Sequence, residues 1–250
     1  MITIQKKRFG LLGKNISYSF SRGYFKEKFE SGNYEGCSYE NFDIPEITEF
    51  PSIIENNHSG LRGINVTIPY KEVVIQYMDK LSKKAALIGA VNTIKITKNG
   101  KLKGYNTDYY GFKKSLQPLL QPHHKKALIL GTGGASKGVA FALEELGIEY
   151  TFVSRGNKEN TIDYSQINEE TFNQYHIIIN STPVGTSPDI DASPAIPYDY
   201  FTDKHIAYDL IYNPAETKFL QNAKAKGAKI KNGLRMLELQ AEKSWEIWNK

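Results

Sequence analysis

The chain is 250 residues long, 40% hydrophobic and 24% charged, with a net charge of +5 at neutral pH. That describes an ordinary soluble globular protein with ample core material, arranged as one large domain or two modest ones. The net charge suggests an anionic partner. The basic residues are scattered among acids, which argues against nucleic acid, while an anionic small molecule fits equally well and a solvated basic surface is the plain alternative. One cysteine, Cys37, excludes an internal disulfide and points to the cytoplasm; no signal peptide or membrane span is legible, so no membrane partner is expected.

In chain order, residues 8–13 (RFGLLG) read as a strand. Residues 21–32 read as a helix with Tyr24, Phe25 and Phe29 on one face and Gly32 as its stop. YENFDI is a second strand and GINVTI a third, with Ile64, Val66 and Ile68 alternating with Asn65 and Thr67. Pro69 then suits the first position of a helix, which predicts Lys71 in a first helical turn. A cation there faces the positive end of the helix dipole. That placement, together with burial, favours the neutral amine and suits a lysine to proton exchange; extension into solvent is the other reading. Residues 89–108 read as a hairpin around Asn99-Gly100. A helix follows from Thr107 to about Leu120, and QPHHKK breaks the chain.

Beyond the break, ALILGTGGASKGVAFALEELGIEYTFVSR alternates strand, glycine turn, helix and strand, the form of a parallel βαβ unit. HIIINST and HIAYDLIY are further buried-type strands. The glycine turn lets backbone N–H groups approach a pyrophosphate at a helix N-terminus, although Ser136 stands at the last glycine position of G-x-G-x-x-G. A purely steric use of these glycines is the alternative. The next strand ends in Ser154 and Arg155 without an acid, which favours NADP over NAD. The final segment spaces Leu234, Leu237, Ala241, Trp245 and Trp248 on one helical face, with Gln240 on the apolar side in need of a partner. The five histidines show no metal spacing, so no metal is expected, and His123-His124 fall in the linker. The predicted architecture is α/β in two domains. The first is an N-terminal α/β domain (1–105 plus 235–250), and the second a Rossmann-type doubly wound dinucleotide-binding domain (106–234). The C-terminal helix returns to the first domain.

Several stretches together resemble the shikimate dehydrogenase family. GKNISYSFSRGYF, INVTIPYKE, GAVNT, GYNTD, GTGGASKG, SR, NSTPVG, YDLIYNP and NGLRMLELQA follow in that family's order and approximate spacing across nearly the whole chain. The resemblance implies NADPH-dependent reduction of 3-dehydroshikimate to shikimate in aromatic amino-acid biosynthesis, at a site between two domains. It implies that Ser19 and Ser21 hold the substrate carboxylate. Asn65, Thr67, Asn92, Asp108 and Gln240 would bind the ring groups, and Tyr212 would border the pocket. Lys71 would be the acid/base and Asp108 its partner. Gly131, Thr132, Gly133, Gly134 and Ala135, with Ser154, Arg155, Lys158 and Thr182, would hold NADP, and Leu210 and Gly233 would lie near the nicotinamide.

Asn15, Tyr18 and Arg22 depart from the Pro, His and Pro usual around the two serines, and Ser154 departs from a common Asn. Read alone, Thr107 and Asp108 suit a helix start, and Ser19 or Ser21 an N-cap. Monomer and homodimer both stay open. Two other functional readings stand beside the main one: a paralogue acting on quinate or a related hydroxy acid, and a non-catalytic NADP-binding regulator. Retention of both Lys71 and Asp108 argues against the regulator. Methylenetetrahydrofolate dehydrogenases share a similar arrangement, but YDLIYNP and the serine pair fit them poorly.

Overall fold

The apolar runs form two six-stranded sheets in the computed structural model, which describes residues 6–17, 19–57, 60–156 and 159–250. The chain divides into two units, Met1–Thr107 with Gln240–Lys250, and Asp108–Leu239. The first unit contains β1 (Lys7–Gly13), α1 (Phe20–Ser31), β2 (Cys37–Asp43), α2 (Phe50–Asn56), β3 (Leu61–Val66), β4 (Lys80–Leu81), α3 (Lys83–Ile88), β5 (Thr93–Ile96) and β6 (Leu102–Tyr105). Its strand order is β2-β1-β3-β5-β6-β4. β1 is parallel to β2 and β3, while β5 is antiparallel to β3 and β6. Gly100, at φ +74°, turns the β5–β6 hairpin, a conformation glycine adopts without steric cost.

Alternate residues divide between the faces of this sheet. Leu12, Ile64, Val66 and Ile94 pack with Phe50, Val74 and Ala85, whereas Phe9 packs with Phe25, Phe29, Ala241 and Trp248. The Trp248 indole donates to the Ile94 carbonyl at 2.9 Å. It lies so near Gly63 that a Cβ there would overlap the ring.

The second unit contains α4 (Asp108–Leu116), β7 (Lys126–Leu130), α5 (Gly134–Glu145), β8 (Glu149–Val153), β9 (Thr161–Ile162), α6 (Glu169–Gln174), β10 (Ile177–Asn180), β11 (Ile206–Asp209), α7 (Lys218–Ala225), β12 (Lys229–Lys231) and the start of α8 (Leu234–Asn249). All neighbouring strands are parallel, in the order β12-β11-β10-β7-β8-β9. The order reverses between β7 and β10, as in a doubly wound dinucleotide fold. Ala127, Ile129, Ile179 and Tyr208 bury one face with Val139, Leu143 and Phe112. Leu128, Leu130, Ile178 and Ala207 bury the other with Phe172, Phe219 and Leu220. Burial on both faces explains why these strands read as unbroken apolar runs.

Two expectations fail. No helix begins at Pro69: the Ile68–Pro69 peptide is cis, and the Tyr70 N–H donates to the Thr67 carbonyl at 2.9 Å, closing a turn with cis-proline in its third position. The Lys71 carbonyl accepts the Val91 N–H at 2.7 Å, and the Ile75 N–H pairs with Glu72 instead. Lys71 therefore lies in a single turn, closed by the Val74 N–H on the Tyr70 carbonyl at 2.9 Å, ahead of a short 3-10 helix, Val73–Tyr77. It is not in the first turn of an α-helix whose dipole would act on it. Leu234 is also exposed, at 38%, while Met236 is buried at 5%. Two helical residues subtend about 200°, so Met236 facing inward turns Leu234 outward.

His176 and His205 stand immediately before strands β10 and β11, and His124 one residue further back from β7. The Gln121 N–H donates to His124 Nδ1 at 2.8 Å, so Nε2 carries the proton toward the Lys204 carbonyl at 3.0 Å. The Thr202 N–H likewise fills His205 Nδ1, and Nε2 faces the Phe172 carbonyl. A second proton on either ring would oppose a donor to a donor. Burial, then the neighbouring His123, lowers His124 to about 4. Burial also lowers His176 and His205, with Lys204 adding to the effect at His176 and Asp203 opposing it at His205. Lys229 faces His124 as a further cation.

The folded chain thus binds fewer protons here than the unfolded one. The histidine contribution is complete above the ordinary value of 6.5 and falls away as pH drops toward 4, following proton linkage. The expected result is a lower urea midpoint at pH 5 than at pH 7.5, with a smaller difference in His124→Gln. An equal difference in that variant would remove His124 from the account.

Candidate active site

In the first unit, β3, β5, the end of β6 and the last turns of α8 converge on one polar network. Its centre is Asn92, 2% exposed. Asn92 Oδ1 accepts the Thr107 N–H at 2.6 Å, and Nδ2 donates to Gln240 Oε1 at 2.8 Å. Asn92 therefore supplies the partner that the Gln240 carbonyl oxygen needs on the apolar side of its helix. Asn65, on β3, donates through Nδ2 to Ser244 Oγ at 2.9 Å and, at 3.3 Å, to the Asn92 carbonyl and Thr93 Oγ1. The Asn65 Oδ1 accepts the Tyr39 hydroxyl at 2.9 Å.

Tyr39 is bonded in turn to the Ser21 side chain. Burial pushes the Tyr39 phenol up; its ring stacks on Phe25 at 4.6 Å between centroids. Ser19 is the N-cap residue of α1, and its side chain makes no capping bond. Thr67 follows β3, where its N–H donates to the Leu12 carbonyl at 2.9 Å and its own carbonyl closes the turn leading to Lys71. Thus Ser21, Asn65, Asn92 and Gln240 are brought into one network. Tyr39, Thr93, Thr107 and Ser244 join it unforeseen. The signal for Ser244 was its place on the buried face of α8, in step with Ala241 and Trp248.

Asp108 and Tyr212 belong to the second unit; Asp108 opens α4 and is 2% exposed. After β7, Gly131 adopts φ +100° and leads to Gly133, the N-cap residue of α5, followed by Gly134 and Ala135. A Cβ on Gly131 would lie 3.0 Å from Thr182 Cγ2 and 3.2 Å from Ser181 Oγ. Gly131 and Thr182 therefore meet beyond the carboxyl ends of β7 and β10, where the strand order reverses. Ser136, at the missing glycine position, is fully buried and donates to the Gly133 carbonyl at 2.6 Å. Ser154 is buried at the end of β8 and Arg155 is exposed. Burial raises the Tyr164 phenol, and the nearby Arg155 charge partly offsets this. Lys158 and Tyr18 lie outside the described residues.

Leu210 and Gly233 also meet, since a Cβ on Gly233 would overlap the Leu210 carbonyl. The loops that carry Thr182 and Leu210 hang on Asp209, which the sequence reading passed over. Its Oδ1 accepts from Asn180 Nδ2 at 3.1 Å and the Ile211 N–H at 3.0 Å, and its Oδ2 from Thr217 Oγ1 at 2.6 Å. Asn180 Oδ1 in turn accepts the Thr182 N–H and hydroxyl. Burial raises the Asp209 carboxyl to about 6, and the three hydrogen bonds hold it below what burial alone would give. Its contribution to stability has the opposite sign to that of the histidines, being lost as pH rises through 6. Among the described residues no group of three or more His, Cys, Asp and Glu could hold a metal ion, and no helix is long and apolar enough to cross a membrane.

Comparison with known proteins bears on the whole chain. The family profile described as the shikimate dehydrogenase substrate binding domain matches residues 11–94. A curated relative, the shikimate dehydrogenase (NADP(+)) of Caldanaerobacter subterraneus, is 40% identical, covering 97% of this chain and 91% of the relative. The crystal structure of shikimate dehydrogenase from Aquifex aeolicus superposes with a TM-score of 0.87 at 34% identity, over 100% of this chain and 94% of that one. The Thermus thermophilus enzyme, solved in complex with NADP(H) and shikimate, gives 0.85 at 35% identity, over 97% and 93%. By its sequence, its two sheets and their strand order, the chain belongs to the shikimate dehydrogenase family.

Proposed function

We propose that this chain catalyses the reversible NADPH-dependent reduction of 3-dehydroshikimate to shikimate. The observation that carries the reading is the first unit's network. Four side chains assigned to substrate by family motif, Ser21, Asn65, Asn92 and Gln240, are linked there by a chain of buried and half-buried hydrogen bonds.

The second unit fits the cofactor. The turn at Gly131 needs a positive φ and is crowded by Thr182, a backbone cradle that side chains would fill. Exposed Arg155 offers a planar fork for a 2′-phosphate. When bound, the cofactor supplies the hydride. Ser19 and Ser21 take the substrate carboxylate at the start of α1, while Asn65, Thr67, Asn92, Asp108 and Gln240 take ring hydroxyls. Tyr212 would border the ring, and Leu210 and Gly233, which meet each other, would lie near the nicotinamide. Lys71 Nζ gives a proton to the ketone oxygen as negative charge develops there, and recovers it from water; oxidation runs the same transfers backward. Proton donation at that oxygen is what a positioned acid contributes to such a step.

Reduced cofactor should appear on mixing enzyme, NADP and shikimate, with a weak response to quinate and none without substrate; quinate turnover equal to that of shikimate would favour the paralogue reading. Lys71→Ala should lose about 10²–10⁴-fold in kcat, the usual range for removing a general acid, with a much smaller change in shikimate KM. Retention of more than half the wild-type kcat in the folded variant would end the assignment.

Arg155→Ala should raise the NADP KM about 10–150-fold, from the roughly 1.5–3 kcal/mol of a charge-assisted contact, and leave the NAD KM unchanged. Equal losses for both cofactors would mean that Arg155 supports its loop without reading the phosphate.

A further inference from the structure

Ser244 lies on α8 with no exposed surface. Its hydroxyl donates to the Gln240 carbonyl at 2.9 Å. It stands 2.9 Å from Asn65 Nδ2, 2.8 Å from Thr93 Oγ1 and 3.3 Å from Thr107 Oγ1. A hydroxyl has one proton and two lone pairs. With the proton on the Gln240 carbonyl, the lone pairs face the two nearest groups, Asn65 Nδ2 and the Thr93 hydroxyl. The Asn65 amide nitrogen can only donate, so the pairing allows one orientation of that amide. The Asn92 carbonyl, on the same side at 3.3 Å, enforces it. The Asn65 oxygen is thereby turned toward the Tyr39 hydroxyl, which must donate, and the Tyr39 oxygen is left to receive Ser21.

We propose that Ser244 is a positioning residue for substrate recognition. Its lone pairs set the orientation of the Asn65 amide, and its proton holds the α8 turn that carries Gln240. The inference rests on the reading of Asn65 and Gln240 as substrate ligands. Ser244 bonds both Asn65 and the backbone of α8, whereas Thr93 and Thr107, on the strand side, face Ser244, Asn92 and each other.

Ser244→Ala removes both lone pairs and the proton while leaving every proposed ligand in place. The shikimate KM should rise about 3–10-fold, the equivalent of one such hydrogen bond, with kcat and the NADP KM each within twofold of wild type, about 0.4 kcal/mol. A general loss of packing would move the NADP KM as well. Asn65→Ala should raise the shikimate KM on its own, and the double variant should show less than the sum of the two effects, because each removes the other's partner. If Ser244→Ala does not fold, Ser244→Cys, a weaker acceptor in the same place, carries the same comparison. An unchanged shikimate KM in the Ser244 variant beside a raised one in Asn65→Ala overturns the proposal and leaves the functional reading standing, as do strictly additive effects. An unchanged KM in Asn65→Ala removes the reading of Asn65 and the proposal with it.

Discussion

One side chain pins both places where the chain passes between its two units. Thr107 is the last residue of the first unit before the chain leaves it, and Gln240 the first on its return. Asn92 holds the backbone N–H of one and the side-chain oxygen of the other. Its own backbone is fastened on both sides, to Val66 and to Tyr105. A buried amide in that position must be fully paired, because each unmade bond costs about 1–3 kcal/mol. The placement of Thr93 and Thr107 follows from that requirement, since their hydroxyls bond the Asn92 amide. Ser244 bonds the two threonine hydroxyls and the neighbouring Asn65 amide from the helix side.

Much of this was legible in the sequence where one physical signal dominates. Strands buried on both faces leave an apolar run, and the run after each glycine or polar break marks β7, β10 and β11. β8, half-buried with the sequence EYTFV, is legible only from its place after the glycine turn and helix. Short edge strands such as β9 and β12 carry no such run and were not read. Pro69 misled because proline fits a helix start and a turn equally well, and only the partner of the Lys71 carbonyl, Val91 from a distant segment, decides between them. Leu234 misled for a related reason. A helix that packs on two units changes its inward face along its length, so a single stripe drawn through it fails at one end.

The site divides the same way. Ser21, Asn65, Asn92 and Gln240 carry motif signals, whereas Tyr39 and Ser244 are visible only once β2 and α8 are laid against β3. Asp209 did leave a trace, a charged residue closing an apolar strand. Its role depends on Asn180 and Thr217 meeting it from other segments. A buried carboxylate is tolerable only with such donors, and here the donors are the ends of the loops that carry Thr182 and Leu210. The requirement to pair one charge therefore fixes the shape of two loops at the point where the sheet reverses its order, the place where doubly wound folds bind ligands.

The helix starts supply the last constraint. α3, α6 and α7 satisfy their first turns with the side chains of Ser82, Asn168 and Thr217. The twelve-residue helices α1 and α5 do not: the Ser19 side chain makes no capping bond, the N-cap of α5 is Gly133, which has no side chain to offer, and neither first turn contains an acid. A helix start has up to four backbone N–H groups without intrahelical partners and a positive dipole end. A missing cap bond costs about 0.5–2 kcal/mol at a start such as that of α1, and only a few tenths where glycine is the N-cap, as at α5, unless an anion from outside takes its place. The proposed reaction brings two such anions, the substrate carboxylate at α1 and the cofactor pyrophosphate at α5. Ser19 fits this account, since a serine that closed its own helix would have less to offer a carboxylate.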